Sequence, residues 1–355
     1  MKVAKDTYLL NLKRLEKFLF YSLIFLLPTQ LAYHFWPEYA FIFGIRVDYL
    51  APAIYLTDLI IIFLLVISRT KVKRFYILAI CIFAYLNISN SISPWVSFWK
   101  WIKIAELILF AKYIHDNIKL LKTQTFANVF SLSLILISLI GISQFLTGGT
   151  LGFTPLGERT FNVSTPGTAL QEFFGKSYLR AYSIFSHPNS FAGYLFISVV
   201  LFFSQLKKTK FFLPTLLISS VAFLLTFSLS AFMGTGIGIP LAFTKFNLSS
   251  PEISERLELI NISKDVITHN FFIGSGLGTF VLTNKLMQPV HNIFLLAFAE
   301  TGILGVVALC FLVYKLIKKN IYIFVFILIT GLLDHYWLTI QQNMLLLTLV
   351  FSPLF

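Results

Sequence analysis

The sequence predicts an all-α protein embedded in a membrane, with about ten helical spans and two long loops on the outer face. The 355 residues are 57% hydrophobic and 12% charged, and they include 40 Phe. This balance lies far outside that of a soluble domain, and apolar stretches long enough to cross a bilayer recur along the chain. No fixed-period repeat or low-complexity linker interrupts them, so we expect one integral membrane domain over residues 1–355.

The predicted spans follow the apolar stretches in chain order. A span takes about 20 residues, and several of these stretches are shorter, so their ends are approximate. The predicted spans are residues 18–33, 49–67, 75–90, 97–113, 127–146, 188–205, 211–228, 291–314, 320–333 and 337–354. Residues 229–244 are predicted to form a re-entrant or interfacial piece, because the second long loop has to remain outside.

The basic residues give the predicted orientation. The net charge is +13, but most Lys and Arg residues lie in alternate connections between the spans, which is the pattern of cytoplasmic loops. Both termini are therefore predicted to be cytoplasmic, and no nucleic-acid partner is expected. Cys81 and Cys310 both fall in predicted spans, which supports neither a disulfide nor a zinc site, and we expect them to be packing residues.

Two long outer loops, residues 147–187 and 245–290, are where we expect function to lie. The first loop ends in RAYSIFSHPNS, with Arg180, His187 and Asn189 just ahead of an apolar run. His187 is predicted to cap the helix that follows, with Asn189 as its N-cap. The local sequence leaves an alternative for Arg180, which is a loop residue that binds lipid phosphate.

Arg256 lies in a segment with helical periodicity in the second loop. Pro251 is typical of a first helical turn, and residues 252–268 are predicted to be helical. Arg256 then points to the apolar face near Leu259, where an isolated charge is costly and an anionic partner is needed. The alternatives are a substrate anion, a salt bridge to Glu252, or an extended side chain that reaches lipid headgroups.

His291 opens the next predicted helix, in the stretch HNIFLLAFAETGILG, which also contains Asn292. An imidazole with an unperturbed pKa of about 6.5 can accept a proton near neutral pH. The alternative is an interfacial histidine that bonds to a loop carbonyl. On this helix Gly302 and Gly305 are predicted to let a neighbouring helix approach closely.

Other polar residues are weaker candidates for the same outer site. Asp334, His335, Gln341 and Gln342 cluster near the outer end of the last two spans and are candidates to line one cavity. Lys100 and Lys103, beside the predicted aromatic belt of Trp95, Trp99 and Trp101, either attract an anionic carrier or lie at headgroup level. The glycines of 274–278 predict a tight turn, because the strand and helix of a phosphate loop are missing there.

Taken in order, these motifs resemble the O-antigen ligase and polymerase superfamily. The resemblance rests on Arg180 with HPN at 187–189, an Arg before GSGLGTF, and HNIFLLAFAETGILG; it covers residues 180–310. The stretch GIRVDYLAPAIYLTDLII at 44–61 is also similar to that family's second helix. One departure is Leu229, which stands where the family often has the Arg of a Thr-Ser-Arg-like element.

The resemblance implies an enzyme of the bacterial inner membrane. It would transfer a glycan from a polyprenyl (undecaprenyl) diphosphate carrier to a glycan, lipid or protein acceptor hydroxyl on the outer face. Arg180 and Arg256 match the diphosphate-binding arginines, and His291 matches the general base. His187, Asn189, Asn292 and His335 are possible further site residues.

We expect no metal and no cofactor. No close acidic pair lies beside the arginines, and the planar fork of Arg grips two phosphate oxygens. The nearest alternative is a polymerase of the same superfamily. From another class, a transporter or flippase of lipid-linked sugars is disfavoured, because its polar residues would lie at the bilayer midplane, often in repeated halves.

Overall fold

A computed structural model describes residues 2–236 and 251–352 and contains thirteen α-helices in these two ranges. The helices are α1 (Lys2–Leu26), α2 (Leu56–Ser68), α3 (Arg74–Ser89), α4 (Pro94–Asp116), α5 (Gln124–Thr147), α6 (Pro188–Leu206), α7 (Phe212–Leu225), α8 (Leu229–Thr235), α9 (Pro251–His269), α10 (Ile293–Lys319), α11 (Ile321–Leu333), α12 (Tyr336–Thr339) and α13 (Gln341–Phe351). The prediction of a mostly helical chain is confirmed.

Short antiparallel strands occur only in the connections of the described residues. They pair as β1 with β4, β2 with β3, and β5 with β6. The strands are β1 (Ala32–His34), β2 (Phe41–Ile42), β3 (Ile45–Arg46), β4 (Ala53–Tyr55), β5 (Leu170–Phe173) and β6 (Lys176–Leu179).

Three helices are long and apolar enough to cross a membrane by length and composition. They are α5, α6 and residues Ile293–Lys318 of α10, whereas α2, α3, α7 and α11 are shorter apolar helices. The protein is therefore a helical membrane protein, while the count of about ten spans stays a prediction. Of the piece predicted over 229–244, α8 is helical, and residues 237–250 lie outside the described part.

The second predicted span begins later than the sequence indicates. Residues 49–55 are not helical, and β4 pairs there with β1 at the end of α1. Pro52 disfavours helix in the residue before it, and the Asp58 carboxylate accepts the Tyr55 N–H at 2.8 Å, which starts α2. Residues 27–55 thus form a connection with short strands between α1 and α2.

One large apolar core joins most of the helices, with fully buried rings such as Phe126, Phe191 and Trp337. Close helix approach is visible at Gly141, where an added Cβ would lie 2.8 Å from Phe191 Cε1. Cys81 and Cys310 were predicted to be packing residues, but both are free and exposed in the structure. Hydropathy alone does not tell which face of an apolar helix is buried.

Helix α10 is broken at Gly302, which adopts φ +66 and ψ −168. A Cβ at this position would lie 2.4 Å from the backbone carbonyl of Phe272, which follows α9. The close neighbour of Gly302 is thus a connecting segment, and Gly305 faces Thr301 of its own helix. The predicted helix–helix contact at these two glycines was wrong, because the chain breaks there instead of continuing one face.

Candidate functional site

A cavity of about 960 Å³ lies among the connections between β1 and α2, between α5 and α6, and between α9 and α10. It is also lined by α4, α9 and the segment from α11 to α13. Its walls are strongly polar for an apolar protein. The charged residues and histidines that line it are His34, Arg46, Asp48, Lys100, Lys103, Glu158, Arg159, His187, Arg256, His291, Glu300, Asp334 and His335.

The start of α10 brings His291 to the end of α11. The Asn292 carboxamide oxygen accepts the N–H groups of Phe294 and Leu295, at 2.9 and 3.0 Å, which makes Asn292 the N-cap of α10. Its amide nitrogen donates to the carbonyl of Leu332 at 3.3 Å. His291 is thereby held beside Asp334, two residues beyond Leu332.

His291, Asp334 and His335 form a compact cluster. His291 Nδ1 lies 3.9 Å from Asp334 Oδ1, which is ion-pair range but too long for a hydrogen bond. That nitrogen is buried and has no hydrogen-bond partner among the described residues. The rings of His291 and His335 have centroids 5.0 Å apart, and His335 Nδ1 lies 2.8 Å from Thr339 Oγ1.

Asp334 is held from two sides. Its Oδ1 accepts the backbone N–H of His335 at 2.8 Å, and its Oδ2 accepts the Asn189 side-chain amide at 2.9 Å. Asn189 in turn accepts a bond from Arg180 Nη2 at 2.8 Å. A chain of hydrogen bonds therefore runs from Arg180 to the carboxylate beside His291.

Arg180 does not line the cavity within the described residues. Besides Asn189, its guanidinium donates through Nε to the carbonyl of Thr226 at 2.5 Å. Arg256 does line the cavity, and its Nη1 donates to the carbonyl of Leu333 at 3.1 Å. The two predicted arginines thus approach the same cluster, one from behind Asn189 and one on the cavity wall.

His187 caps α6 as predicted, whereas Asn189 does not. His187 is the N-cap of α6, where its Nδ1 accepts the Asn189 N–H at 3.2 Å, and Asn189 lies inside the first turn. The prediction of Asn189 as N-cap was wrong, because the N-cap is the residue before Pro188 and proline favours the first helical position. Both side chains line the cavity.

Burial keeps His335 neutral. It lowers the pKa of His335 to about 4, against the opposing influence of Asp334. This imidazole is therefore uncharged at neutral pH and does not cancel the negative charge of Asp334. His187 is exposed, and its Nδ1 accepts the Asn189 N–H instead.

Arg256 lies on the half-buried face of α9, as predicted. Leu259 on the same face is fully buried, and α9 spans Pro251–His269, which confirms the predicted helix to within one residue at each end. The guanidinium has no carboxylate within 4.0 Å among the described side chains. The predicted alternative, a salt bridge to Glu252, falls on a side chain outside the described part. A cation on a cavity wall with no carboxylate within 4.0 Å among the described side chains suits an anionic ligand.

Sequence reasoning missed two further residues of the cavity. Asp48, after β3, and Arg159, in the loop after α5, pair at 3.1 Å and join these two connections. Their spacing of 111 residues carries no local signal. Of the predicted cluster, Asp334, His335 and Gln341 line the cavity, whereas Gln342 is buried away from it.

The alternative role of the histidine cluster is to bind a metal ion. His291, Asp334 and His335 each offer one ligand atom, and these atoms lie within 4.8 Å of one another. Imidazole and carboxylate are ordinary ligands of divalent cations. Both Asp334 oxygens, however, already accept hydrogen bonds, and His335 Nδ1 is engaged with Thr339.

Comparison with known families bears on one segment of this site. Residues 188–310 match the family model of O-antigen ligase. The predicted resemblance is confirmed for this segment, which is similar to O-antigen ligases. The O-antigen ligase match includes Arg256 and His291, while Arg180 and Asp334 lie outside it. No curated protein and no solved structure gives a significant match.

Proposed function

We propose that the protein transfers a glycan from a polyprenyl diphosphate carrier to an acceptor hydroxyl on the outer face of the bacterial inner membrane. The observation that carries this proposal is the meeting of His291, Asp334 and Arg256 at one end of a single cavity. A transfer from a lipid diphosphate needs a base at the acceptor and positive charge at the leaving group. These residues supply both.

In the proposed step, His291 takes the proton of the acceptor hydroxyl as its oxygen attacks the anomeric carbon. The bond from that carbon to the diphosphate oxygen breaks, and the diphosphate leaves with the electron pair. Asp334, 3.9 Å from His291 Nδ1, stabilises the imidazolium that forms. Single displacement implies inversion at the anomeric carbon.

Arg256 is proposed to bind the departing diphosphate, since its guanidinium lies on the cavity wall and has planar donors for two phosphate oxygens. Arg180 remains a predicted diphosphate contact. Its bond to Asn189 gives it a further proposed role, which is to position Asn189 against Asp334.

Deletion of the gene, followed by analysis of the cell's glycans, tests the proposal. A ligase mutant accumulates finished glycan on its carrier, a polymerase mutant accumulates single repeat units, and a flippase mutant retains lipid-linked glycan on the inner side. We expect the first pattern, with rescue by the wild-type gene and none by His291→Ala. Retention on the inner side would refute the transferase.

A chelator decides the question of metal. We expect transfer by the purified protein to persist in excess EDTA, because arginine is proposed to stabilise the leaving diphosphate. Loss of activity that Mn²⁺ or Zn²⁺ restores would instead make His291, Asp334 and His335 metal ligands. His291→Ala should then also abolish binding of the restoring metal.

A further inference from the structure

The cavity has a second end, away from His291, whose walls are α4 and the glycine-rich turn before α10. Trp99, Lys100 and Lys103 of α4 line this end, as does Glu300 of α10. Glu300 lies seven residues after Ile293, which places it about 10 Å along the helix from the His291 end at 1.5 Å per residue.

The two lysines of α4 differ in their partners. Lys103 forms ion pairs with Asp58 and Glu106, and Gln341 donates to the other oxygen of Asp58 at 2.7 Å. Lys100, one turn earlier, has no hydrogen bond and no carboxylate within 4.0 Å among the described residues. Its ammonium group thus forms no ion pair in this cavity among the described residues, and its attraction to the Glu300 carboxylate acts over a longer distance.

The glycine-rich turn holds the Lys100 side chain in place. A Cβ at Gly278, which has φ +78, would lie 2.6 Å from Lys100 Cγ, so only glycine leaves room for this stem. The turn is itself fixed to Glu300, whose Oε1 accepts the Phe280 N–H at 3.2 Å. Glu300 therefore serves the backbone of the turn, and Lys100 is packed against that turn without an ion pair.

Holding a cation in this way costs free energy unless an anion compensates its charge. The reason is that a charge on a partly apolar wall has lost some of its hydration. The diphosphate proposed for Arg256 lies at the other end of the cavity. A group on the first sugars of the glycan reaches the Lys100 end more readily. The neighbouring indole of Trp99 adds an apolar ring surface beside the charge.

We propose that Lys100 forms a second anion-binding subsite, which takes a carboxylate or phosphate on the bound glycan near its diphosphate-linked end. This inference rests on the proposed function, because it places the diphosphate at the His291 end. It assigns a substrate class, since a glycan with an acidic group there is bound more tightly than a neutral one.

Binding of three synthetic carriers to the purified full-length protein in nanodiscs tests the proposal. The probes are undecaprenyl diphosphate alone and undecaprenyl diphosphate with a disaccharide whose outer sugar is glucose or glucuronic acid. We expect the wild type to bind the glucuronic acid probe about 10- to 100-fold more tightly than the glucose probe, the range for a charge-assisted hydrogen bond. Lys100→Gln should remove this preference and leave the sugar-free carrier unaffected.

Two variants complete the design. Lys176→Gln, on the exposed hairpin outside the cavity, makes the same charge change and should keep the preference. Lys100→Arg keeps a cation and should retain most of the preference for the glucuronic acid probe. This variant therefore separates a loss of charge from a loss of folding. A wild type without preference, or a preference that survives in Lys100→Gln, overturns the subsite. If Lys100→Gln weakens the binding of all three probes equally, Lys100 binds the diphosphate, and the proposed subsite is again overturned.

Failure of the proposed function would look different. In that case the sugar-free carrier would bind wild type and Arg256→Lys equally, or would not bind at all.

Discussion

Asp334 organises the candidate site at the scale of single residues. It accepts bonds from Asn189 and the His335 backbone, and its remaining neighbour is the imidazole of His291. Because burial keeps His335 neutral, His291 is the neighbouring histidine whose positive charge we propose this carboxylate to stabilise. The choice of His291 as the base therefore follows from its surroundings as well as from its place in a motif.

The first prediction concerns His291→Ala. Loss of a general base lowers turnover by a factor of roughly 10² to 10⁴, whereas binding of the carrier diphosphate should stay nearly unchanged. Turnover and carrier binding are measured separately on the purified variant. His269→Ala, an exposed histidine at the end of α9, is the matched control and should behave as wild type. Normal turnover by His291→Ala would end the assignment.

A second prediction compares the two arginines. Arg256→Lys keeps the charge but loses the planar fork, so carrier binding should weaken by roughly tenfold or more. Arg180→Lys should instead lower turnover more than binding, because Arg180 reaches the site through Asn189. Asn189→Ala should reproduce the Arg180→Lys profile. If Arg180→Lys weakens carrier binding as strongly as Arg256→Lys, Arg180 contacts the diphosphate directly.

At the scale of elements, the sequence predicts helices better than it predicts how they end and break. The predicted start of α9 rests on Pro251, a local signal, and it is confirmed. The break of α10 at Gly302 escapes prediction because a glycine within an apolar run equally indicates close helix packing. The break is decided by Phe272, thirty positions earlier in the chain, because its backbone occupies the space where a Cβ of residue 302 would lie.

The third prediction tests this break. Gly302→Ala should destabilise the protein by about 1–3 kcal/mol from backbone strain, with a further loss from the clash with the Phe272 carbonyl. The measurement is thermal unfolding in detergent. Gly44→Ala is the control, because Gly44 also has a positive φ but an added Cβ meets nothing within 4 Å. Equal shifts for the two variants would mean that the Phe272 contact contributes nothing.

At the scale of the whole molecule, composition indicates a helical membrane protein, and residues 188–310 match the O-antigen ligase family. The cavity could not be predicted in the same way. Its walls come from seven or more separate stretches, and partners such as Asp48 and Arg159 are brought together only by the fold. Orientation in the membrane rests on charge distribution alone and stays a prediction.

A fourth prediction tests that orientation. In a background of Cys81→Ala and Cys310→Ala, single cysteines at Ser164 and Lys264 should react with a membrane-impermeant thiol reagent added to intact cells. Both positions are exposed, whereas the nearby Ser263 is fully buried and unsuitable. A cysteine at Lys207, in a predicted cytoplasmic loop, is the control and should react only after lysis. Protection of the Lys264 position in intact cells would put α9 on the wrong side for the proposed reaction.

The size of the cavity has a consequence for the products. At about 960 Å³ it lies near the upper end of ordinary ligand pockets, yet it would hold only the proposed diphosphate and a short oligosaccharide at the joining ends. The rest of a longer glycan would extend into the surrounding water. We therefore expect turnover to be indifferent to glycan length beyond the first few sugars.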